Sequence, residues 1–469
     1  MLVERITLFL VEKMARNLPP NGIGEPYDYD EAGVNSTPRA LEDGIDLDKY
    51  IMATYYVRLG AREDGEKMGM FAAIEQSTGT WIRVPAETAE VRKNHVAKVT
   101  GVYEVPQYES YLPDKKQVPE RDYIIRVAFP VINMNQDRDI PMLFSTIVGN
   151  ISMAGKLKLV DVQFPKEFLK DFKGPKFGIE GLRKYLGVYD RPLLNNMIKP
   201  CTGHTCEVGG ELAYKAAVGG VDCVKDDELI ADPSFNTLED RVTAYMDALD
   251  KADAEKGEKT LYACNVTAKV DRIFELADKV IDAGGNCIMV NYLTAGLSVM
   301  QKLAEDPSIK VPIMGHMDFA GVWYCDPFSG ISSYITLGKV PRLCGADIVV
   351  TPAPYGKAPY LPGNFQLTLK NQVYPLQHIL PTMPMISGGI SPHMVESAMR
   401  DCGNDIMIGS GGGIHAHPDG PVSGGKAFRQ AIEAAMQGIS AKKYAKQENL
   451  VELQKALGIW KGKTEFQSV

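Results

Sequence analysis

No Cys-x-x-Cys pair occurs anywhere in this 469-residue chain, which removes the usual spacing of a structural zinc site. The eight cysteines and seven histidines are scattered. A secretory leader pattern is also missing, so the cysteines are expected to be free thiols in a reducing, cytoplasmic setting. Long hydrophobic runs are absent too: the apolar stretch Ile6–Val11 is far too short to cross a bilayer, and no membrane partner is expected. An excess of basic charge is lacking. Lys and Arg number 51 against 59 Asp and Glu, a net charge of −8, so nothing favours a nucleic-acid partner. Neither repeats nor low-complexity segments occur.

What is present is ordinary for a soluble globular protein: 45% hydrophobic and 23% charged residues. The chain is long enough for two domains with large cores. One decamer stands out, Gly219-Gly-Val-Asp-Cys-Val-Lys-Asp-Asp-Glu228. It reads as a short apolar strand that ends in one lysine and three carboxylates. Carboxylates gathered so closely repel one another unless something positive sits among them. A hard divalent cation such as Mg²⁺ answers that need, because it takes oxygen ligands. An ammonium is no metal ligand, but a lysine carbamylated by CO₂ carries an oxygen anion and can be one. The plainer alternative is a solvated strand end with local salt bridges.

After Arg191 short apolar runs alternate with longer amphipathic stretches, the pattern of βα units. Eight strands are expected: Leu193–Lys199, Asp222–Lys225, Thr260–Thr267, Cys287–Leu293, Val311–His316, Asp347–Ala353, Met383–Gly388 and Asp405–Ser410. Leu238–Lys256 and Val270–Ala283 carry apolar residues at helical spacing. The fold class is therefore α/β, with a C-terminal (β/α)8 TIM barrel, whose active site lies at the C-terminal ends of the strands. Those ends offer Lys199, Lys225, Asp227, Glu228, Asn265, Asn291, His316 and, past strand six, Lys357. Ser387-Gly388-Gly389 and Ser410-Gly411-Gly412-Gly413 follow strands seven and eight, where this fold binds phosphate.

Residues before the barrel read differently. Tyr50–Leu59, Val96–Val105 and Tyr123–Phe129 are strand-like, and Gly65–Gln76 is helical. The expected domains are an extension over 1–46, a smaller α+β domain over 47–173, the barrel over 174–440 and a helical tail over 441–469. Phe168–Leu186 is expected to join the smaller domain to the barrel.

These residues resemble the ribulose-bisphosphate carboxylase (RuBisCO) large-subunit family. Gly219–Glu228 resembles the motif around its carbamylated lysine. Met197-Ile-Lys-Pro200 resembles the strand-one lysine motif, and Ile147-Val-Gly-Asn150 the asparagine segment of the N-terminal domain. Glu75-Gln-Ser-Thr-Gly-Thr-Trp81 resembles the segment that reaches a neighbouring subunit's active site. The resemblance covers about residues 47–440 and implies a homodimer with shared active sites. It further implies that Lys225 is a carbamate which, with Asp227 and Glu228, holds Mg²⁺. Asp226 is expected to point the other way.

Departures from the family pattern narrow the reading. Where true carboxylases have a second lysine, an arginine and a histidine, this chain has Cys201, Met317 and Val350. A methionine and a valine cannot bind a phosphate dianion, so the ligand is expected to carry one phosphate. The chain is similar to RuBisCO-like proteins, above all to the 2,3-diketo-5-methylthiopentyl-1-phosphate enolases of methionine salvage. Two positions depart from those enolases: Asn150 stands where they place a lysine base, and Lys199 is present where they lack one. The implied activity is Mg²⁺-dependent enolisation of a small phosphorylated keto substrate. Lys199 is the implied base, its amine freed by burial beside a cation-rich site. His316 is read as coordinating substrate hydroxyls or relaying protons, and Lys357 as a loop-six residue closing over the ligand or a solvated charge. Glu75, Thr80, Trp81, Asn150, Ser387, Gly388, Gly389, Gly411 and Gly412 are implied around the ligand. Carboxylation or decarboxylation of a keto-sugar phosphate remains an alternative, as does a catalytically silent metabolite-binding protein.

Overall fold

A computed structural model describes residues 40–79, 84–109 and 117–460. The expected extension therefore lies mostly outside the described residues, and so do Thr80 and Trp81. The chain divides into two compact units. One holds the residues up to Phe172 together with Gly321–Thr336; the other holds Lys173–Ala320 and Leu337 onward.

The first unit is built on a five-stranded sheet in the order β10–β4–β1–β3–β2. Its strands are β1 (Tyr50–Gly60), β2 (Lys98–Glu104), β3 (Glu120–Pro130), β4 (Leu157–Gln163) and β10 (Gly330–Ile331). β1 pairs antiparallel with both β3 and β4, and along it buried and part-exposed residues alternate at their period of two. The helix Gly65–Glu75 starts where the Asp64 carboxylate accepts the Glu66 N–H. The three expected strands and this helix are all present. β4 and the two-residue β10 were not expected.

The second unit contains the closed barrel of eight parallel strands. These are β5 (Leu193–Met197), β6 (Cys223–Lys225), β7 (Leu261–Asn265), β8 (Cys287–Asn291), β9 (Ile313–His316), β11 (Ile348–Pro352), β12 (Met383–Ser387) and β13 (Met407–Ser410). All eight expected strands occur, each of them trimmed at one or both ends. Thr260, for example, is taken out of the ladder because its N–H and hydroxyl bond the Asp253 carboxylate at 2.9 and 2.6 Å. Inward-facing Leu193, Cys223, Ala263, Met289, Met314, Val350, Met385 and Met407 form one core. Methionine and cysteine suit such an interior because both are soft and adapt to irregular gaps. The helix Gly178–Leu186 adds Leu182 and Leu186 to that core. The second half of Phe168–Leu186 thus packs on the barrel core.

Candidate active site at the strand ends

β6 ends at Lys225, and the period of two then turns successive side chains to opposite sides. Asp226 turns outward into a closed set of donors. It accepts Arg241 Nε at 3.2 Å, the Tyr262 hydroxyl at 2.8 Å and the Asn265 N–H at 3.0 Å. Lys225 and Asp227 share the other side. Lys225 is 1% exposed; its Nζ donates to the Asp226 carbonyl at 2.6 Å and lies 3.7 Å from Glu228 Oε2. Burial pushes the amine of Lys225 below its ordinary pKa, with Glu228 and Asp227 opposing.

Asp227 Oδ2 receives Lys199 Nζ at 2.6 Å. Burial alone would raise this carboxyl, but the lysine outweighs it and holds the pKa low. For Lys199 burial works downward, yet its bonds to Asp227 and to Cys201 Sγ, the latter 2.9 Å away, leave the pKa raised. The expectation that burial frees this amine is therefore corrected. The structure shows an ammonium paired with Asp227, because the nearest carboxylate lies on the adjacent strand end.

His316 is buried at the end of β9, with Nε2 3.4 Å from Glu228 Oε2. Its Nδ1 accepts the Asp318 N–H at 3.2 Å, so the neutral ring carries its hydrogen on Nε2, toward Glu228. Burial, then Lys225 and Lys199, push its pKa well below the usual value. Nδ1 is engaged, and Nε2 lies within ion-pair distance of Glu228, beside which the ring stands neutral.

The glycine turns sit where expected. Gly388 and Gly389 have φ of 103° and 89°, a left-handed conformation that only glycine adopts without strain. Lys357 N–H donates to Gly388 O at 2.7 Å, and a Cβ on Gly356 would lie 2.0 Å from that same oxygen. Loop six is thus laid backbone to backbone on the strand-seven turn, with the Lys357 side chain exposed. Ser387 is buried beneath it. A Cβ on Gly411 would come within 2.8 Å of Lys199 Cε, so the lysine stem runs along the strand-eight turn. Gly412 opens the short helix Gly412–His415. In the first unit, Asn150 Nδ2 donates to Glu75 Oε1 at 3.1 Å and Asn150 N–H to Gln76 Oε1 at 3.1 Å.

Among the described residues no group of three or more His, Cys, Asp or Glu side chains is arranged to hold a metal. Asp227 and Glu228 supply two carboxylates, and the third group at the same place is the Lys225 amine. That amine is buried and biased toward its neutral form, which is the form that adds CO₂. A carbamate on Nζ would complete an oxygen donor set, so the residues fit Mg²⁺ on that condition. Val350 lies in the barrel core and Met317 packs against it.

Sequence reasoning treated Asn265 and Asn291 only as polar strand ends. The structure ties both to the backbone of this site: Asn265 Nδ2 lies 3.3 Å from Asp227 O and from Glu228 O, and Asn291 Nδ2 lies 3.1 Å from Glu228 O. Arg241 was missed as well. Its signal was available, a charged residue on the buried stripe Leu238, Val242, Tyr245 and Leu249.

Residues 178–460 match the family described as ribulose bisphosphate carboxylase large chain, catalytic domain. Residues 43–168 match the corresponding N-terminal domain. A ribulose bisphosphate carboxylase-like protein of Archaeoglobus fulgidus is 55% identical over 434 residues, 92% of this chain and 98% of that one. A 2,3-diketo-5-methylthiopentyl-1-phosphate enolase of Geobacillus thermodenitrificans is 37% identical, over 87% of this chain and 98% of its own. The crystal structure of a rubisco-like protein (MtnW) from Alicyclobacillus acidocaldarius superposes with a TM-score of 0.80 at 35% identity, covering 88% of this chain and 99% of that one.

Proposed function

Since the chain belongs to the ribulose bisphosphate carboxylase large-chain family and is an enzyme of the RuBisCO-like kind, we propose that it tautomerises a small keto compound carrying one phosphate. The first substrate to try is 2,3-diketo-5-methylthiopentyl 1-phosphate, which a relative's name supplies and which would place the reaction in methionine salvage. One observation carries the reading. A buried lysine biased toward its neutral amine shares a barrel mouth with two carboxylates that keep lone pairs free.

In this proposal carbamylated Lys225, Asp227 and Glu228 hold Mg²⁺. Bound there, the cation would polarise a substrate carbonyl and lower the barrier to enolate formation by several kcal/mol. Lys199 Nζ takes the proton from the substrate carbon. In the resting state that nitrogen is an ammonium on Asp227, so it becomes a base only after the pair parts. His316 keeps Glu228 aimed through Nε2. The backbone N–H groups at Gly388, Gly389, Gly411 and Gly412, with Ser387, take the phosphate. Lys357 covers the ligand from loop six. In a homodimer the described residues Glu75 and Asn150 would reach the neighbouring subunit's site. No helix among the described residues is long and apolar enough to cross a membrane.

Carboxyl chemistry on a bisphosphate is the weaker reading, because Met317 and Val350 present no charge to a second phosphate. The test is deuterium exchange from solvent into substrate, followed by NMR after incubation with bicarbonate and Mg²⁺. Exchange is expected with the monophosphorylated diketone, only with metal and CO₂, and with little turnover of ribulose 1,5-bisphosphate. Efficient turnover of the bisphosphate and none of the diketone would overturn the proposal.

A further inference from the structure

We propose that Asn265 and Asn291 form an amide clamp that sets the affinity of the cation site by fixing the Asp227–Glu228 backbone; the inference rests on the proposed cation site. β6 ends at Lys225, so the carbonyls of Asp227 and Glu228 lie beyond the strand and have no ladder partner there. Buried carbonyls need donors. Asp227 O takes a long 3.3 Å bond from the Ile230 N–H, and the remaining donors come from the next two strands. Asn265 Nδ2 sits 3.3 Å from both carbonyl oxygens, and Asn291 Nδ2 adds a second donor to Glu228 O at 3.1 Å.

Both amides are themselves locked. Asn265 is 0% and Asn291 4% exposed. Asn265 Oδ1 accepts the Thr267 N–H at 3.0 Å, and Thr267 Oγ1 accepts the Asn291 N–H at 2.9 Å. The Asn265 N–H donates in turn to Asp226 at 3.0 Å. A chain of bonds therefore runs from β6 to β8 and returns to the peptide groups that carry the two carboxylates. Fixing those peptides fixes the directions in which Asp227 and Glu228 leave the main chain.

The placement of Asn291 leaves one of its two amide atoms without a partner. Its Oδ1 is buried without a hydrogen-bond partner, and turning the amide over would set oxygen against the Glu228 carbonyl. An unpartnered buried acceptor is unfavourable, yet the side chain accepts it so that its nitrogen can reach Glu228 O. Groups that orient metal ligands in this way typically account for about 10–100-fold in metal affinity when removed. Asn265 and Asn291 are thus positioning residues, acting through the ligands and not on the substrate.

The experiment uses the full-length protein with excess bicarbonate and reads free Mn²⁺ by electron paramagnetic resonance. Wild type, Asn265→Ala and Asn291→Ala are compared, with apo melting temperatures measured alongside. Mn²⁺ binding is expected to weaken about 10–100-fold in each variant, while apo Asn291→Ala, which loses one hydrogen bond to Glu228 O and an oxygen without a partner, still folds with a modestly lower melting temperature. Should Asn265→Ala not fold, Asn291→Ala carries the test. If wild type binds Mn²⁺ and Asn291→Ala binds it equally tightly, the clamp is wrong and the cation site stands. If wild type binds no Mn²⁺ with bicarbonate present, the cation site falls and the clamp falls with it.

Discussion

At the N-terminal ends of the barrel strands Asp222 accepts both Arg191 Nη atoms at 2.7 Å and the Leu194 N–H at 2.7 Å. At the C-terminal ends Asp227 holds one lysine at 2.6 Å and a weak 3.3 Å bond from the Leu229 N–H, and Glu228 has partners no nearer than 3.4 Å. The contrast recurs at Asp347, whose carboxylate accepts the N–H groups of Phe177, Gly178 and Ile313 at 2.6, 2.9 and 2.9 Å. Carboxylates at the bottom are saturated by donors that cannot leave. Those at the top face a lysine and a histidine that can, and they keep lone pairs free. The same side chain thus stabilises at one end and is available for chemistry at the other, as barrels generally arrange it. Asp226 confirms that saturation, and not height in the barrel, is the distinguishing property. It sits beside Asp227 yet is filled by Arg241, Tyr262 and Asn265.

The largest effect is expected at the top, from Lys225→Ala. Without an amine to carry CO₂ only two carboxylates remain, and both Mn²⁺ binding and proton exchange should vanish. The fold should survive, since the Lys225 amine is biased toward its neutral form and its carboxylate neighbour Glu228 is 3.7 Å away. Full activity in CO₂-free buffer, with Lys225 unmodified by mass spectrometry, would remove the carbamate from the account. Next comes Lys199→Met. A positioned base contributes about 10²–10⁴-fold, so exchange into the substrate should fall by that factor while Mn²⁺ still binds. Exchange at the wild-type rate would place the base elsewhere.

Breaking the bottom should do the reverse. Asp222→Asn leaves the Arg191 guanidinium, 9% exposed, with only the more distant Glu258 carboxylate at 3.3 Å. Loss of one partner from such a buried pair costs about 3–5 kcal/mol. Urea unfolding should shift by that amount while exchange per folded molecule stays unchanged. A large loss of exchange without loss of stability would erase the distinction between the two ends.

Much of this was legible in the sequence. The eight barrel strands could be read because each is a short buried run closed by polar or glycine residues. The Lys225–Glu228 set stood out because four charges follow an apolar strand. β10 could not be read, since two residues carry no period and it forms only by pairing with β4. The Lys199–Asp227 pair was hidden for a similar reason: it depends on which strand ends become neighbours, β5 beside β6. Asn265 and Asn291 act on main-chain carbonyls, and a sequence does not say which carbonyls lack a partner.

The smallest effects lie in pH dependence, where the two ends should pull in opposite directions over one range. His415 Nε2, at the top, donates to Asn196 Oδ1 at 3.0 Å, because that oxygen only accepts and the ring therefore carries hydrogen on Nε2. Burial, then the charge of Lys199, push its pKa down from 6.5 to about 4. The unfolded chain therefore binds more protons than the folded one between those values. His415 contributes stability that is full above about pH 6.5 and is lost as pH falls toward 4. Linkage sets an upper limit of about 3 kcal/mol, and partial exposure reduces that to about 1–2. Asp347, at the bottom, is pushed up by burial from 3.8 to about 6, with its three N–H donors and Lys176 opposing. Here the folded chain binds more protons, so this contribution is full below about pH 3.8 and is lost as pH rises through 6. Urea midpoints measured between pH 4 and 7 separate the two. His415→Gln, which keeps a donor for Asn196, should remove the component that rises with pH, and Asp347→Asn the component that falls. If both variants follow the wild-type profile, neither group titrates as its surroundings dictate, and the opposition between the ends reduces to hydrogen bonding alone.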